Sequence, residues 1–549
     1  MKVRLLKRLK VLVTSVSTII WFLSCTGEGN LGKEILQEDK EDEIPADQLI
    51  SINTKDKVGL MYNFWSTRPM INQTQFESAS FRSSLEESKS YVKSYNLVRM
   101  LGGRIDNKNI YYKGVDENGN IIVDFSGLLT SMRGFMQTGF KPRIVLDNVP
   151  WEMSLPRIED TYGNTKAPTD YEIWRQYIRA FLQTLIDEFG KEEVSTWRFR
   201  VSTEPNYTPD HWRGSMEAYF KHYDITVDEV GKILPEAQIG PGNMLTEGVA
   251  TFTTELIDHC AVGTNYATGE IGTRMDFFSL SYYEKIDQNT VRFEEKVVPY
   301  RDKLDSYSQF QGIPLDIQEF GILRDEFGNR GLSLSDATEF GASWYATIAD
   351  LSYHYRVNEI YDWGQYTTGG LASGRRNVTS MLLKMEGGSR LSASRGSSGF
   401  SGIIPVVKEG RVFLLLYNHN TTLTSMNRQI LYPEIKGELV KASSSFYMNE
   451  WTIDRNHGIF MHELYKDVKS AGIAIKSGKS ARIYGNRPGD YFQEGWKAVY
   501  DANLNKYEKL AQLPQTVTDS TIFKTKDGSI ILKMEMEPHS VKLIELIPK

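Results

Sequence analysis

The strongest constraint on the fold is a unit that recurs along the chain: a short apolar run, a polar loop and a stretch with helical periodicity. Eight runs can be counted, near residues 58–64, 96–101, 142–146, 197–203, 238–241, 277–282, 313–318 and 359–363. Strands that alternate with helices form parallel sheets. Eight units predict a (β/α)8 TIM barrel, with an open doubly wound sheet as the alternative. No Gly-rich phosphate loop follows an early run, which disfavours a nucleotide-binding version of that alternative.

Two of the intervening stretches have sequence patterns that predict helices. From residue 171 to 189, apolar side chains recur every three or four positions, and Gly190 follows directly. This pattern predicts an amphipathic helix with a glycine stop. A capping-box pattern that begins at Asp336 predicts the start of a second helix, which continues to Leu351.

The sequence pattern changes after about residue 375, where short apolar runs are separated by turn-rich segments. This pattern is typical of all-β domains. We expect a barrel over residues 51–372 and a β-sandwich accessory domain over residues 373–549. Part of the segment at 49–57 could add a strand to the accessory domain, because it precedes the barrel.

The first 24 residues read as an export signal. Five Lys or Arg side chains precede an apolar stretch over residues 11–24, which is too short for a comfortable membrane span. The segment at 22–25 resembles a bacterial lipobox, so Cys25 is predicted to carry a lipid anchor. An acidic, flexible tether follows over residues 25–50. The chain is therefore expected to be an exported, membrane-anchored lipoprotein, periplasmic or at the cell surface; the alternative is an ordinary signal peptide with an incidental cysteine.

The charge and the ligand inventory exclude several classes of function. Removing residues 1–24 changes the formal net charge from −6 to −11, which disfavours a nucleic-acid partner. The eight histidines show no metal-binding spacing, so no metal and no cofactor are predicted. No Gly-x-Ser-x-Gly elbow indicates an esterase. Cys260 would be the remaining thiol, so no intramolecular disulfide is expected.

Two glutamates follow strand-like runs and suggest a glycosidase. Glu204 lies in Glu-Pro-Asn after the fourth run, and Glu319 follows the seventh. Hydrolysis of an acetal needs one carboxyl that donates a proton and one carboxylate that faces the anomeric carbon. In a parallel barrel the carboxyl ends of all strands meet at one mouth, so the two side chains would converge. A gap of about 5 to 5.5 Å favours direct attack and retention, whereas about 6.5 to 9.5 Å admits a water.

Sequence context selects Glu319 among four Glu-Phe-Gly tripeptides. The other three begin at Glu188, Glu326 and Glu339. Glu188 ends a predicted helix, Glu339 begins one and Glu326 lies in a polar loop. Only Glu319 follows an apolar, strand-like run. For Glu204, the competing interpretation is a turn-forming Glu-Pro on an exposed loop.

These motifs resemble clan A glycoside hydrolases, most closely family 39, over roughly residues 55 to 370. That family includes β-xylosidases and α-L-iduronidases. The resemblance implies that Glu204 is the general acid/base and Glu319 the nucleophile of a double displacement. Thr203 departs from the clan, which usually has an asparagine there to contact the sugar 2-hydroxyl. A hydroxyl offers one donor instead of two, so this contact would be weaker or rearranged.

Further substrate contacts are predicted around the mouth. Tyr283 matches a tyrosine that hydrogen-bonds the nucleophile in relatives, while Ser281 replaces a histidine. Trp363 is placed to form a flat apolar floor for the sugar. Arg99 lies in an apolar run and needs a partner, which could be a catalytic carboxylate. The other candidates at strand ends are Asn63, Trp65, Asp147, Asn148, Trp151 and Asn206.

The sequence therefore predicts a retaining glycoside hydrolase that acts on an oligo- or polysaccharide without a cofactor. The alternative is a non-catalytic glycan-binding lipoprotein on a degenerate barrel. Thr203 and Ser281 are the residues that favour this alternative, because both depart from the pattern of the catalytic relatives.

Overall fold

The computed structural model describes residues 44, 48–103, 111–159, 162–285, 291–322, 337–362, 367–368, 370–393, 401–474 and 495–549. Cys25, Glu326 and Trp363 lie outside the described residues. The predicted signal segment and most of the predicted tether also lie outside them.

The strands are numbered in chain order. They are β1 (Leu49–Leu60), β2 (Thr67–Met70), β3 (Ser94–Leu97), β4 (Tyr112–Val115), β5 (Ile121–Val123), β6 (Lys141–Leu146), β7 (Arg198–Val201), β8 (Gln238–Pro241), β9 (Met244–Leu245), β10 (Phe278–Glu284), β11 (Leu315–Ile322), β12 (Val357–Asp362), β13 (Thr367–Thr368), β14 (Leu371–Ala372), β15 (Ser389–Ala393), β16 (Ser401–Lys408), β17 (Arg411–Asn418), β18 (Gln429–Lys436), β19 (Ser445–Ile453), β20 (Gln515–Phe523), β21 (Ile530–Ile531), β22 (Met534–Met536) and β23 (Val541–Pro548).

The helices are also numbered in chain order. They are α1 (Ala79–Ser84), α2 (Ser126–Met136), α3 (Tyr171–Phe189), α4 (Lys191–Ser195), α5 (Met216–Ile233), α6 (Ala250–Val262), α7 (Phe293–Asp305), α8 (Glu339–His354), α9 (Gly374–Met385), α10 (Glu438–Lys441), α11 (Met461–Ser470), α12 (Trp496–Ala502) and α13 (Leu504–Ala511). Short 3-10 helices lie at Gln73–Glu77, Glu87–Ser90, Trp151–Met153 and Ser308–Phe310.

A closed parallel barrel forms the larger part of the molecule. Its strands pair in the order β8-β7-β6-β3-β2-β12-β11-β10-β9, and each neighbouring pair is parallel. β8 and β9 are two halves of one stretch that is interrupted at Gly242 and Asn243, so the path closes on itself. The predicted (β/α)8 barrel is confirmed. Because all strands run in the same direction, their carboxyl ends surround a single mouth.

The first predicted barrel strand is wrong in position. Residues 58–60 form the end of β1, where Gly59 pairs with Arg390 of β15, and the first barrel strand is β2. Val58 and Leu60 are more than half exposed. An apolar run does not reveal which sheet it enters, because the pairing partner is far away in the chain. The strand expected near residues 49–57 is confirmed: β1 pairs antiparallel with β15 and parallel with β18.

Both predicted helices are present, and one starts later than expected. α3 has the predicted bounds; the Asp170 side chain caps its start, and Gly190, with φ of 84°, ends it. α8 begins at Glu339, and the side chain of Thr338 does not cap it. Asp336, where the capping-box pattern begins, lies outside the described residues.

The accessory domain contains a sheet with the strand order β20-β19-β23-β17-β16-β15-β1-β18-β21, to which β22 adds beside β18. It agrees with the predicted β-sandwich. Residues of β17 alternate between two cores: Leu414 and Leu416 join a core within the domain, whereas Phe413 and Leu415 join the core shared with the barrel helices. Strands buried on both faces in this way lack the polar alternation of a surface sheet. Helices α9 and α11 to α13 in this part of the chain were not predicted.

The longest helix, α3, buries one apolar face, and the rest of its surface is polar. Within the described part of the chain, no helix combines the length and the apolar composition that crossing a bilayer requires.

Candidate active site

Glu204 lies at the mouth of the barrel, in a tight turn that follows β7. Its φ of 44° and the φ of 70° at Ser202 are left-handed values, which are uncommon for residues other than glycine and occur often at functional sites. The backbone N–H of Glu204 donates to the carbonyl of Asn243 at 3.1 Å, which ties this turn to the break between β8 and β9. The residue is 6 % exposed. The turn therefore holds a carboxyl in a nearly dry position.

Glu319 lies within β11, and not after its end as the sequence indicated. β11 pairs with β10 through a register shift: Leu280 lies opposite Ile317, and Ser281 lies opposite Glu319, so one extra residue is accommodated on β11. Bulges of this kind re-aim side chains and are frequent beside active sites. Glu319 is half-buried, and the hydroxyl of Tyr283 donates to its Oε2 at 2.8 Å. The predicted contact between Tyr283 and Glu319 is therefore present.

The charge of Glu319 affects the protonation of Glu204. Burial raises the pKa of Glu204 to about 8, and the negative charge of Glu319 is the second cause of this rise. The hydroxyl of Ser281 and the cations Arg99 and Arg200 oppose it. Burial and both carboxylates also raise the pKa of Tyr283 well above its usual range. Two acids in such different environments can serve as a protonated donor and an ionised partner.

A buried polar network connects four strands beneath the mouth. The Thr203 hydroxyl donates to Asp147 Oδ2 at 2.7 Å and accepts from Arg200 Nη2 at 2.8 Å. Arg200 Nη1 also donates to Gln318 Oε1 at 2.6 Å. The backbone N–H of Arg99 donates to Asp147 Oδ1 at 2.7 Å, and its guanidinium forms an ion pair with the same carboxylate. Charges this deeply buried are stable only when they are paired and hydrogen-bonded.

This network corrects two expectations. Arg99 is paired with Asp147 and not with a catalytic carboxylate, because β3 and β6 are neighbours and both residues follow their strands. Arg99 acts on Glu204 only through its charge. The single hydroxyl donor of Thr203 is used by Asp147, so while the network is intact Thr203 does not donate to a sugar.

Replacing Thr203 by valine should destabilise the fold. We expect the free energy of unfolding to fall by about 1–3 kcal/mol, because Asp147 loses a buried donor and Arg200 a buried acceptor. Denaturant unfolding of the wild type and the variant measures this difference. The matched control is Thr130→Val, since the Thr130 hydroxyl is exposed on α2 and, among the described residues, bonds the Ser126 carbonyl alone. A similar loss in both variants would contradict the role of the network.

Asn206 does not form the predicted sugar contact. It is 0 % exposed, and its Nδ2 donates to the Leu245 carbonyl at 2.9 Å and to Thr253 Oγ1 at 3.1 Å. Its Oδ1 accepts from the Leu245 N–H at 2.9 Å. Asn206 therefore anchors the loop after Glu204 to β9.

The predicted tryptophan contacts lie in the core. Trp65 is 1 % exposed and packs edge-to-face against Phe64. Trp151 is also 1 % exposed, and the guanidinium of Arg157 lies 4.6 Å from its ring centroid. Neither ring presents a face to a ligand, because hydrophobic burial competes for the same flat surface. Asn63 Oδ1 accepts from the Trp65 N–H at 3.2 Å, which fixes the bend before β2.

Several residues of the site were missed by sequence reasoning. Arg200 was read only as part of an apolar run, although a charge inside such a run signals a buried partner. Asn243 donates to the Ser281 hydroxyl at 2.6 Å, and its polarity at the end of β8 was a usable signal. His211 Nε2 lies 3.5 Å from Glu204 Oε2, and Tyr162 stacks on the His211 ring. No spacing pattern pointed to the last two residues.

Some of the buried polar atoms that lack a partner among the described residues follow barrel strands close to Glu204. Glu204 Oε1, Asn148 Oδ1 and Asn243 Oδ1 are buried and have no hydrogen-bond partner within the described part of the chain. They follow the neighbouring strands β7, β6 and β8. Buried polar atoms are normally paired, and hydroxyl groups of a sugar are suitable partners. Among the described residues, no group of three or more His, Cys, Asp or Glu is arranged to hold a metal ion.

The sequence model of Glycosyl hydrolases family 39 matches residues 48–352. The chain is 24% identical over 290 residues to an alpha-1,4-L-rhamnosidase of Formosa agariphila, covering 49% of this chain and 57% of the relative. It is 25% identical over 237 residues to a beta-xylosidase of Caldicellulosiruptor saccharolyticus, covering 43% and 46%. The chain thus spans about half the length of the curated relatives it matches. A GH39 enzyme from Xanthomonas axonopodis pv. citri has the same fold, with a TM-score of 0.67 at 16% identity over 91% of this chain and 97% of that one.

Proposed function

Because the chain belongs to glycosyl hydrolases family 39, we propose that it hydrolyses glycosidic bonds with retention of configuration, with Glu204 as acid/base and Glu319 as nucleophile. The observation that carries the proposal is the pair of unlike carboxyls at one barrel mouth. Glu204 is nearly dry, with a pKa of about 8, whereas Glu319 is more exposed and accepts a hydrogen bond from Tyr283. This is the arrangement of charges that a double displacement needs.

In the first step, Glu319 attacks the anomeric carbon and the bond to the leaving oxygen breaks. The electrons of that bond stay on the leaving oxygen, which takes the proton of Glu204. Tyr283 occupies Oε2 of Glu319 and limits its rotation, which leaves Oε1 for the attack. The products of this step are a glycosyl ester on Glu319, a Glu204 carboxylate and the released alcohol.

In the second step, Glu204 acts as a base. Esterification removes the charge of Glu319, which is the second cause of the raised pKa of Glu204. The pKa of Glu204 therefore falls, and its carboxylate is stable enough to take a proton from water. The water oxygen attacks the anomeric carbon, Glu319 leaves as a carboxylate, and Glu204 is again protonated. Two inversions at carbon give net retention.

The pH profile should follow Glu204. In the free enzyme Glu204 must be protonated, and its pKa is raised from 4.5 to about 8. We expect kcat/KM to be maintained below about pH 8 and to fall about tenfold per pH unit above it. Initial rates from pH 4 to pH 10, with a check of folding at each pH, measure this limb. A fall that begins near pH 5 would contradict the assignment of a raised pKa to the proton donor.

We propose an α-L-rhamnoside as the substrate class, with a β-D-xyloside as the second candidate. The relative named as a rhamnosidase matches a larger share of the chain than the xylosidase. L-Rhamnose carries an axial 2-hydroxyl, whereas that of D-xylose is equatorial. The axial 2-hydroxyl of L-rhamnose points in a different direction from the equatorial one of D-xylose. It therefore suits a site in which the Thr203 hydroxyl donates to Asp147 and not to the sugar.

A panel of p-nitrophenyl glycosides and natural oligosaccharides, followed by proton NMR of the first product, tests the proposal. We expect release of p-nitrophenol from the α-L-rhamnoside and a first-formed sugar with unchanged anomeric configuration. An inverted product would overturn the mechanism, and turnover of the β-D-xyloside alone would overturn the substrate assignment. Retardation in a polysaccharide affinity gel without any hydrolysis would favour the glycan-binding alternative.

The proposed cellular location rests on residues 1–25. We propose export and lipid anchoring at Cys25, with the enzyme facing the periplasm or the cell surface, because a basic segment, a short apolar stretch and a lipobox-like sequence follow in that order. Incorporation of a clickable fatty acid into the wild type, but not into Cys25→Ser, is the expected result. Equal labelling of both proteins would refute the anchor.

A further inference from the structure

The loop after Glu204 folds back onto its own carboxyl. The Tyr207 N–H donates to the Glu204 carbonyl at 2.8 Å, and the His211 N–H donates to the Tyr207 carbonyl at 2.9 Å. These two consecutive turns return the chain to the mouth, so the His211 side chain lies beside Glu204. His211 Nε2 is 3.5 Å from Glu204 Oε2, and its side chain is 7 % exposed.

Aromatic neighbours fix the imidazole ring. Tyr162 stacks on His211 with ring centroids 4.2 Å apart and an interplanar angle of 23°. The centroid of the Tyr207 ring lies 5.8 Å from that of His211, with an interplanar angle of 40°. A ring held in this way has little freedom to rotate away from its neighbour. Tyr162 is 38 % exposed and lies near both acids, since burial and then Glu204 raise its pKa, with a further contribution from Glu319.

The imidazole is neutral at the pH at which Glu204 titrates. Burial and the positive charges of Arg99 and Arg200 hold the pKa of His211 well below its usual range. A neutral imidazole carries one N–H, and the tautomer that carries it on Nε2 directs it at Glu204 Oε2, 3.5 Å away. It can donate a hydrogen bond to the carboxylate without bringing a second charge into the site.

We propose that His211 is the positioning residue of Glu204: its ring, fixed against Tyr162, holds Oε2 through Nε2 and leaves Oε1 to meet the leaving group. This inference rests on the proposed role of Glu204 as acid/base. It accounts for the unequal surroundings of the two oxygens, because Oε1 is buried without a partner among the described residues. It also gives His211 an effect on the second step, in which Glu204 is ionised and a donor stabilises the base.

The sign of the effect follows from the donor. A donor to the ionised carboxylate lowers the pKa of Glu204, in the same direction as Ser281, Arg99 and Arg200 and against burial and Glu319. Removing Nε2 should therefore raise the pKa of Glu204. Tyr162 and Tyr283 also face this carboxyl, and both stay neutral because their own pKa values are raised.

The test is a titration of Glu204 that does not depend on turnover. Protein labelled with carbon-13 at the glutamate carboxyls is titrated by NMR, and Glu204→Gln identifies the Glu204 signal by its loss. In His211→Phe, which keeps a ring against Tyr162, we expect the midpoint to rise by about one pH unit, a tenfold shift in proton affinity. His211→Gln, whose amide can donate, should restore most of the wild-type midpoint. The control is His354→Phe, at the exposed C-terminal end of α8.

The outcomes separate this inference from the proposed function. An unchanged midpoint in a folded His211→Phe protein overturns the inference, even if the wild type hydrolyses the panel. A raised midpoint in a protein that hydrolyses nothing supports the contact and rejects the enzymatic role.

If His211→Phe does not fold, His211→Asn is used instead, since its amide ends short of Glu204. In an active enzyme, His211→Phe should also lower kcat for a dinitrophenyl glycoside about tenfold, with kcat/KM changed much less.

Discussion

Replacing Glu319 by glutamine should lower kcat/KM by about 10⁴-fold or more, the largest effect expected of any single change in this chain. An amide is not a nucleophile toward the anomeric carbon, so no glycosyl ester can form. It also removes the negative charge that faces developing positive charge in the transition state. Hydrolysis of the best p-nitrophenyl glycoside, measured at high enzyme concentration, gives the residual rate.

The chain offers a matched control for this variant. Glu188 begins the same Glu-Phe-Gly tripeptide but lies near the end of α3, where it pairs with Arg133 on the surface. Glu188→Gln should retain nearly full activity. A Glu319→Gln protein that is folded and keeps more than a tenth of wild-type turnover would exclude Glu319 as the nucleophile.

Replacing Glu204 by glutamine should have an effect that depends on the leaving group. We expect a loss of about 10²- to 10⁴-fold for natural oligosaccharides, which need a proton on the leaving oxygen. A dinitrophenyl leaving group needs no proton, so glycosylation should stay fast and the glycosyl ester should accumulate. Azide, which attacks without a general base, should restore turnover and give a glycosyl azide of retained configuration.

Glu217→Gln is the control for the acid/base variant, because Glu217 is exposed in the first turn of α5. It should match the wild type with every leaving group. A uniform loss in Glu204→Gln across all leaving groups, with no response to azide, would instead indicate a structural role for Glu204.

Much of the barrel could be predicted because each strand-and-helix unit carries its own local signal. The helix of α3 was predicted to the residue, since its apolar stripe and Gly190 are both local. The position of the first barrel strand could not be predicted in this way. The end of β1 carries Val58 and Leu60 and so looks like the other apolar runs. Its membership of the accessory sheet depends on partners in β15 and β18, far away along the chain.

In the candidate site, too, features with a local sequence signal could be predicted and features that depend on distant partners could not. Glu204 and Glu319 could be selected because each follows a strand-like run, and in a parallel barrel that fact alone brings two residues to one mouth. The pairing of Arg99 with Asp147 could not be predicted, because it depends on which strands are neighbours and on side-chain reach. The tryptophans were misjudged for a related reason: composition does not say which face of a loop is buried.

His211 is the site residue that the sequence was least able to predict. It lies seven residues after Glu204, in a loop without periodicity, and its place beside the carboxyl is set by two successive backbone hydrogen bonds. Its stacking partner, Tyr162, comes from the loop after β6. Contacts between loops of different units leave no pattern in the sequence, although they surround the reacting groups.

The central claim is that sugar is transferred to Glu319 and then to water with the help of Glu204. The most direct test is mass spectrometry of the Glu204→Gln protein, quenched with acid during turnover of a dinitrophenyl glycoside and digested with pepsin. The account predicts one added glycosyl unit on the peptide that contains Glu319, which disappears when azide is present. A sugar attached to any other residue, or no attached sugar together with an inverted product from the wild type, would contradict it.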